Sequence, residues 1–219
     1  KINKKEIEKL DGFAKKEIKK LENKIFKLAG IKFNINSTQQ LSEVLFNRLQ
    51  ISGKIRKTPK GKLSTRATEL EKLREAHPII SLILDYRELI KLKTTYIEPF
   101  PKLINPKDNR LHTTFIQTGT VTGRLASQNP NLQNIPIKTK LGQEFRKVFI
   151  AEKGYKLISL DYSQLELRIV AHIAKDGKMI EAFKKGVDIH TETAAEVFGL
   201  PIEKVSPEMR RRAKALNFG

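Results

Sequence analysis

Cysteine is absent from the 219 residues, which excludes disulfides and thiolate-bound zinc and is consistent with a cytosolic protein. No apolar run approaches the roughly 18 residues that suggest a membrane span, and no leader-like pattern opens the chain. Neither membrane spanning nor secretion is expected. No segment repeats. Acidic residues are scarce, at 24 against 43 Lys and Arg, leaving a net charge of +19, and none occurs between Glu43 and Glu69. The chain begins at Lys1 and stops at NFG just after a helical pattern, so it is expected to be an internal piece of something longer.

With 39% hydrophobic and 31% charged residues, the chain can bury one large core or two small ones. Both halves are basic, the first more so, which favours a polyanionic partner, either nucleic acid or an anionic surface.

Residues 4–29 place Ile7, Leu10, Ala14, Ile18, Leu21, Ile25 and Leu28 at helical steps, with Gly30 as a stop. The STQQ run from Ser37 to Gln40 reads as a capping box opening a second helix through Leu49. A Gly- and Pro-punctuated loop follows. Helices are then expected over 67–76 and from Pro78 to Leu92, with Pro99, Pro101 and Pro106 closing the helical section. From Leu111 the pattern changes. HTTFIQTG and TVTGRL suggest strands or a hairpin, NPNLQNIP a loop, and FRKVFIA and YKLISLDY strands, the last running into the helix QLELRIVAHIA. Short helices are expected at 178–185, 188–198 and 207–218, and a domain boundary near 100–110.

Three places carry chemistry. The loop after the second helix gathers Lys54, Arg56, Lys57, Lys60, Lys62 and Arg66, with Ser64 and Thr65 as further donors. That set suits backbone phosphates, or is a solvated charged loop. Asp161 ends an apolar strand pattern, where a carboxylate can hold Mg²⁺. Ser163 to Glu166 has capping-box form, so Glu166 is open to a structural reading as well. After Ser206 and Pro207, an N-cap followed by proline at the first helical position, Arg210, Lys214 and Phe218 share one helix face. They could clamp a triphosphate and stack on a base, or form an ordinary basic helix.

DYSQLELR resembles the first palm motif of family A DNA polymerases, and RRRAKALNFG resembles that family's fingers motif. TGRLASQNPNLQNIP is similar to its minor-groove segment, and KTPKGKLST, HPIISLILDYREL and KLKTTYIEPF are similar to its thumb. The resemblance covers essentially the whole chain, in the family's order. Ile116 and Gly119 depart from the family's pattern.

The resemblance implies an incomplete right-hand polymerase of α+β class. Residues 1–108 would be a helical thumb, 109–174 a palm segment with antiparallel strands, and 175–219 the start of the fingers. It implies template-directed addition of dNTPs to a primer 3′ end with two Mg²⁺ ions. Asp161 and the Tyr162 carbonyl would supply one ligand set. Glu166 would lie under the sugar and disfavour a 2′-hydroxyl. His190, Arg210 and Lys214 would meet phosphates, and Phe218 the sugar and base. Lys54, Arg56, Lys57, Lys60 and Lys62 would hold the duplex, and Arg124, Asn131, Gln133 and Asn134 its minor groove. A monomer acting on primer–template DNA in an intracellular DNA compartment is expected, inactive alone for want of the second palm carboxylate. The alternatives are a single-subunit RNA polymerase, a non-catalytic DNA-binding derivative of a polymerase, and a basic RNA- or ribosome-binding module.

Overall fold

The structure, a computed structural model, describes residues 1–59, 61–137 and 139–217. Lys60 and Phe218, both candidate site residues, lie outside the described residues. The chain is α+β and forms two compact units, Lys1–Leu157 and Ile158–Gly219.

In the first unit, Asn3 accepts the Glu6 amide at 3.3 Å and opens helix α1 (Lys4–Ala29). Gly30 closes it at φ 68°, its amide bonding to the Phe26 carbonyl. Ile7, Ala14, Ile18 and Ile25 are buried, and Leu10 and Leu21 half-buried. Leu28 is instead exposed and Ala29 takes the buried place, because four residues beyond Ile25 completes the turn on the same face. Ser37 accepts the Gln40 amide and caps α2 (Thr38–Ser42). The reciprocal arm of the box goes elsewhere: the Gln40 side chain accepts from the Asn34 amide at 2.7 Å. The helix continues as a π-helical turn over Glu43–Arg48. α3 (Ala67–Glu71) is shorter than its pattern, giving way to turns up to Ala76. α4 (Pro78–Leu92) follows its pattern, with proline in the first turn and the His77 side chain accepting the Ile79 amide. α4 packs along α1, and Ile79, Ile80 and Ile83 close a core with Ile25, Leu45 and Leu70.

A second core in this unit is aromatic. Tyr96, Phe100, Phe145 and Phe149 pack edge-on or tilted with ring centroids 5.5 to 6.1 Å apart, among Ile2, Ile7, Leu92 and Val148. One core therefore joins the chain's start to residues near 97 and 148, across the stretch where a boundary was expected. FRKVFIA is not a strand. Thr139 accepts the Gly142 amide and opens α5 (Lys140–Arg146), so Phe145 and Val148 are buried at a helical step of three. Only Phe149 makes a β-bridge, to Ile2.

Strands are short and antiparallel. β1 (Ile104–Asn105) pairs with β2 (Arg110–Leu111), and β3 (Thr114–Ile116) with β4 (Ala126–Gln128). HTTFIQTG thus supplies a strand, but its partner lies beyond TVTGRL. That segment is the connection, turned by Gly123 at φ 73° and by the Thr120 hydroxyl, which donates to the Arg124 carbonyl. Gly119 is explained here: a Cβ would come within 3.1 Å of Ile116 and 3.3 Å of Ala126.

The second unit comprises α6 (Leu165–Ala174), α7 (Gly177–Lys184), α8 (Ile189–Phe198) and α9 (Pro207–Asn217). Leu167, Ala182 and Ile189 form its small core. YKLISLDY does not form a strand. Among the described residues no chain pairs with it, and Leu157, Ile158 and Leu160 are exposed. A strand needs a ladder partner as well as β-branched residues.

Replacing Phe145 by Ala should destabilise the first unit by about 3–5 kcal/mol, read as a lower urea midpoint for the chain. A loss below about 1 kcal/mol would show that this aromatic core is not closely packed.

Candidate nucleic-acid and nucleotide sites

The basic loop is a small, pinned hairpin. Lys57 and Leu63 form a β-bridge, the Thr58 amide donates to the Lys62 carbonyl at 2.7 Å, and the Ser64 amide donates to the Arg56 carbonyl. Glu69, buried in the first turn of α3, accepts the Arg56 amide at 2.9 Å and pairs with Lys72. Lys72, then the Arg56 amide, hold its carboxyl below the usual range. The half-buried Arg87 donates to the Thr65 carbonyl, and burial lowers its pKa. These ties leave Lys54, Arg56, Lys57, Lys62 and Arg66 exposed on one short segment. Beneath it, Ser42, Thr58, Lys62, Ser64, Thr65 and Arg87 line an open cleft of about 760 Å³.

In the 124–134 loop, Asn131 accepts from the Gln133 amide and the Ser127 hydroxyl. Gln133 donates to the Leu125 carbonyl, and Tyr96 donates to the carbonyl of Asn134. Arg124, Asn131, Gln133 and Asn134 are all exposed, but two of the four side chains also brace their own loop.

In the second unit, Asp161 and Tyr162 lie exposed on the irregular segment before α6, and Glu166 lies in its first turn. The capping box at Ser163 is not formed. Gln164, at φ 53°, occupies the N-cap position, with no side-chain bond to its own helix. The Ser163 carbonyl instead accepts from Arg168 Nε at 2.9 Å, and the Arg168 guanidinium sits 4.5 Å over the Phe183 ring. Asp161 stands as an exposed carboxylate just ahead of this turn.

α8 and α9 pack together, and Arg210 and Lys214 of α9 lie close enough to His190 of α8 to act on its charge. Asp188 organises them. It caps α8 through the Thr191 amide at 2.9 Å, accepts the Thr191 hydroxyl, and pairs with Arg210 at 2.6 Å. Burial would raise its pKa, but Arg210 and the Thr191 amide hold it below the usual range. His190 is 1% exposed. Burial lowers its pKa, with Asp188 opposing and Arg210 and Lys214 adding to the fall. Ser206 caps α9 through the Met209 amide, as its sequence indicates. Asp188 went unnoticed in the sequence. Asp before a helical pattern could have marked it as a cap, but nothing local announces its pairing with Arg210, 22 residues on.

A sequence profile of DNA polymerase family A matches residues 4–219. The chain belongs to DNA polymerase family A. It is 58% identical over 205 residues to the thermostable DNA polymerase I of Thermus aquaticus, covering 93% of this chain and 24% of that protein. With DNA polymerase I of Deinococcus radiodurans it shares 53% over 199 residues, 91% of this chain and 21% of that one. The solved POL domain of Pol1 from M. smegmatis, in complex with DNA primer-template and dNTP, superposes with a TM-score of 0.89 at 38% identity, over the whole of this chain and 38% of that one. The chain thus spans about a quarter of the length of the curated relatives it matches.

Family A polymerases generally use Mg²⁺. Asp161 offers one oxygen ligand of the right kind, but among the described residues no group of three or more His, Asp or Glu side chains could hold a metal ion. Among the described residues, no helix is long and apolar enough to cross a membrane.

A depressed His190 pKa means that the fold favours the neutral ring. Its contribution to stability is full above about pH 6.5, the ordinary histidine value, and is lost as pH falls through the lowered one. The melting temperature of the chain should drop between pH 7.5 and pH 5, and less so in His190→Gln. Equal drops in both proteins would remove His190 as the cause.

Proposed function

We propose that this chain is the thumb (1–108), a palm segment (109–174) and the start of the fingers (175–219) of a DNA-directed DNA polymerase, which acts as a monomer on primer–template DNA inside the cell. The observation that carries the reading is the cationic pair Arg210 and Lys214 beside His190, whose burial favours the neutral ring. Cations positioned before the reaction stabilise the charge that develops on a transferring phosphoryl group. A neutral imidazole adds a hydrogen-bond donor without further charge.

The other candidate residues fit the same reading. The exposed cations of the 54–66 hairpin take backbone phosphates without reading sequence. Arg124, Asn131, Gln133 and Asn134 meet the minor groove, where acceptors are similar for all base pairs and geometry can be checked. Glu166 crowds the 2′ position of the incoming sugar, and Phe218 lies beside the sugar and base. Asp161 and the Tyr162 carbonyl supply part of the Mg²⁺ shell, and the bound metals would stabilise charge on the phosphates. The 219-residue chain alone binds DNA but does not extend a primer.

A second reading, a DNA-binding derivative without catalysis, rests on the exposed cations of the 54–66 hairpin, which suit phosphates whether or not Asp161 holds a metal. Primer extension decides between them, using the polymerase that carries this chain beside its Asp161→Ala variant and the 219-residue chain, with DNA affinity measured in parallel. Extension that needs Mg²⁺ and dNTPs, and falls at least about a thousandfold in the variant at unchanged DNA affinity, supports the catalytic reading. Equal extension by wild type and variant removes Asp161 from the site. DNA binding with no extension by either moves the assignment to the second reading, and extension by the 219-residue chain alone refutes its inactivity.

A further inference from the structure

Resting on the polymerase reading, we infer that Gln164 is a positioning residue whose side chain ties the turn after Asp161 to the first amide of α8, holding the carboxylate and the phosphate-facing cations as one piece. The first amides of a helix have no partner within it. In α8, Asp188 serves the Thr191 amide, and the Ile189 amide is met by Gln164 Oε1 at 3.1 Å. Ile189 is buried, so losing that acceptor leaves a donor poorly placed to find water.

The backbone of Gln164 points to the same role. It lies in the left-handed region at φ 53°, ψ 36°, which is unfavourable for a residue with a Cβ. Gln164 stands at the N-cap position of α6 yet gives its side chain nothing to do there. The conformation instead carries the amide across to α8. From there the link runs through neighbouring groups: Ile189 follows Asp188, and Asp188 holds Arg210 at 2.6 Å. Arg168 secures the other side of the turn, bonded to the Ser163 carbonyl and resting on Phe183 of α7. Misplacing reacting groups by about 1 Å can cost on the order of a hundredfold in rate, so a turn fixed from two helices is what a metal-binding carboxylate on an exposed segment requires.

The test compares three variants in the polymerase that carries this chain. Gln164→Met keeps length and removes the acceptor. Gln164→Asn suits the left-handed backbone better but falls one methylene short of Ile189, so it breaks the link with little risk to folding. Gln164→Glu keeps an oxygen at the amide and adds a charge favoured at a helix N-terminus. The first readout is the dNTP-dependent ternary complex on a dideoxy-terminated primer, where no bond is made. The second is the Mg²⁺ concentration for half-maximal primer extension, and the third is the melting temperature. Gln164→Met and Gln164→Asn are expected to weaken the ternary complex about tenfold and to raise the Mg²⁺ requirement, with Gln164→Glu close to wild type and melting little changed. Wild-type dNTP affinity and Mg²⁺ requirement in Met and Asn overturn the inference, as does a loss that tracks melting temperature alone. An unsubstituted polymerase that fails to extend overturns the polymerase reading, and this inference with it.

Discussion

The Asp188 carboxylate is divided among the Thr191 amide, the Thr191 hydroxyl and the Arg210 guanidinium, and the charged ends of α8 and α9 are arranged by that division. The cap fixes where α8 starts, and so where His190 enters the interior. The ion pair fixes the rotation of α9 about α8 at the level of Arg210. Because Lys214 is one turn further along the same face, it is placed by the same bond. The same carboxylate partly offsets the two cations at the buried His190 imidazole, whose burial already works against protonation. A guanidinium has five donors. Arg210 can keep Asp188 while offering others to a phosphate oxygen, so the pair is compatible with a binding role and prepares the cation's direction in advance.

The basic hairpin of the first unit follows a related logic. Lysines on an unconstrained loop lose side-chain and backbone freedom when they bind. Here the backbone part is already fixed by the Lys57–Leu63 bridge and by Glu69 beneath Arg56. Glu69 is the first acid after a run of cations, and it is turned inward onto a backbone amide and Lys72 rather than outward among them. The exposed surface of the hairpin therefore keeps its positive charge, and what remains to be ordered on binding is mainly the ends of the lysine side chains.

Much of this was legible in the sequence where the signal is local. α1 and α4 follow their apolar spacing, and α7, α8 and α9 begin within a residue of the expected positions 178, 188 and 207. Misreadings cluster where non-local pairing decides. FRKVFIA has the composition of a strand, yet the Thr139 cap and the burial of Phe145 beside Phe100 make its first half helical. TVTGRL has β-branched residues, yet Gly119 and Gly123 make it the link between β3 and β4. The family's motifs pointed to Asp161, His190, Arg210 and Lys214, but no motif states that Arg210 answers to Asp188, or that Gln164 caps a helix other than its own.

Segment 155–162 shows that division most clearly. Its apolar residues read as a strand, yet Leu160 is 91% exposed and Tyr162 79% exposed. Local sequence can specify an extended backbone, but register and burial come only from a ladder, and a shift of one residue would turn Asp161 to the opposite face. Immediately after Asp161 the constraint becomes local again: Arg168 grips the Ser163 carbonyl and Gln164 grips the start of α8. The carboxylate thus sits at a junction between a strand that needs distant partners and a turn that carries its own, and the turn is the part whose geometry these residues encode by themselves.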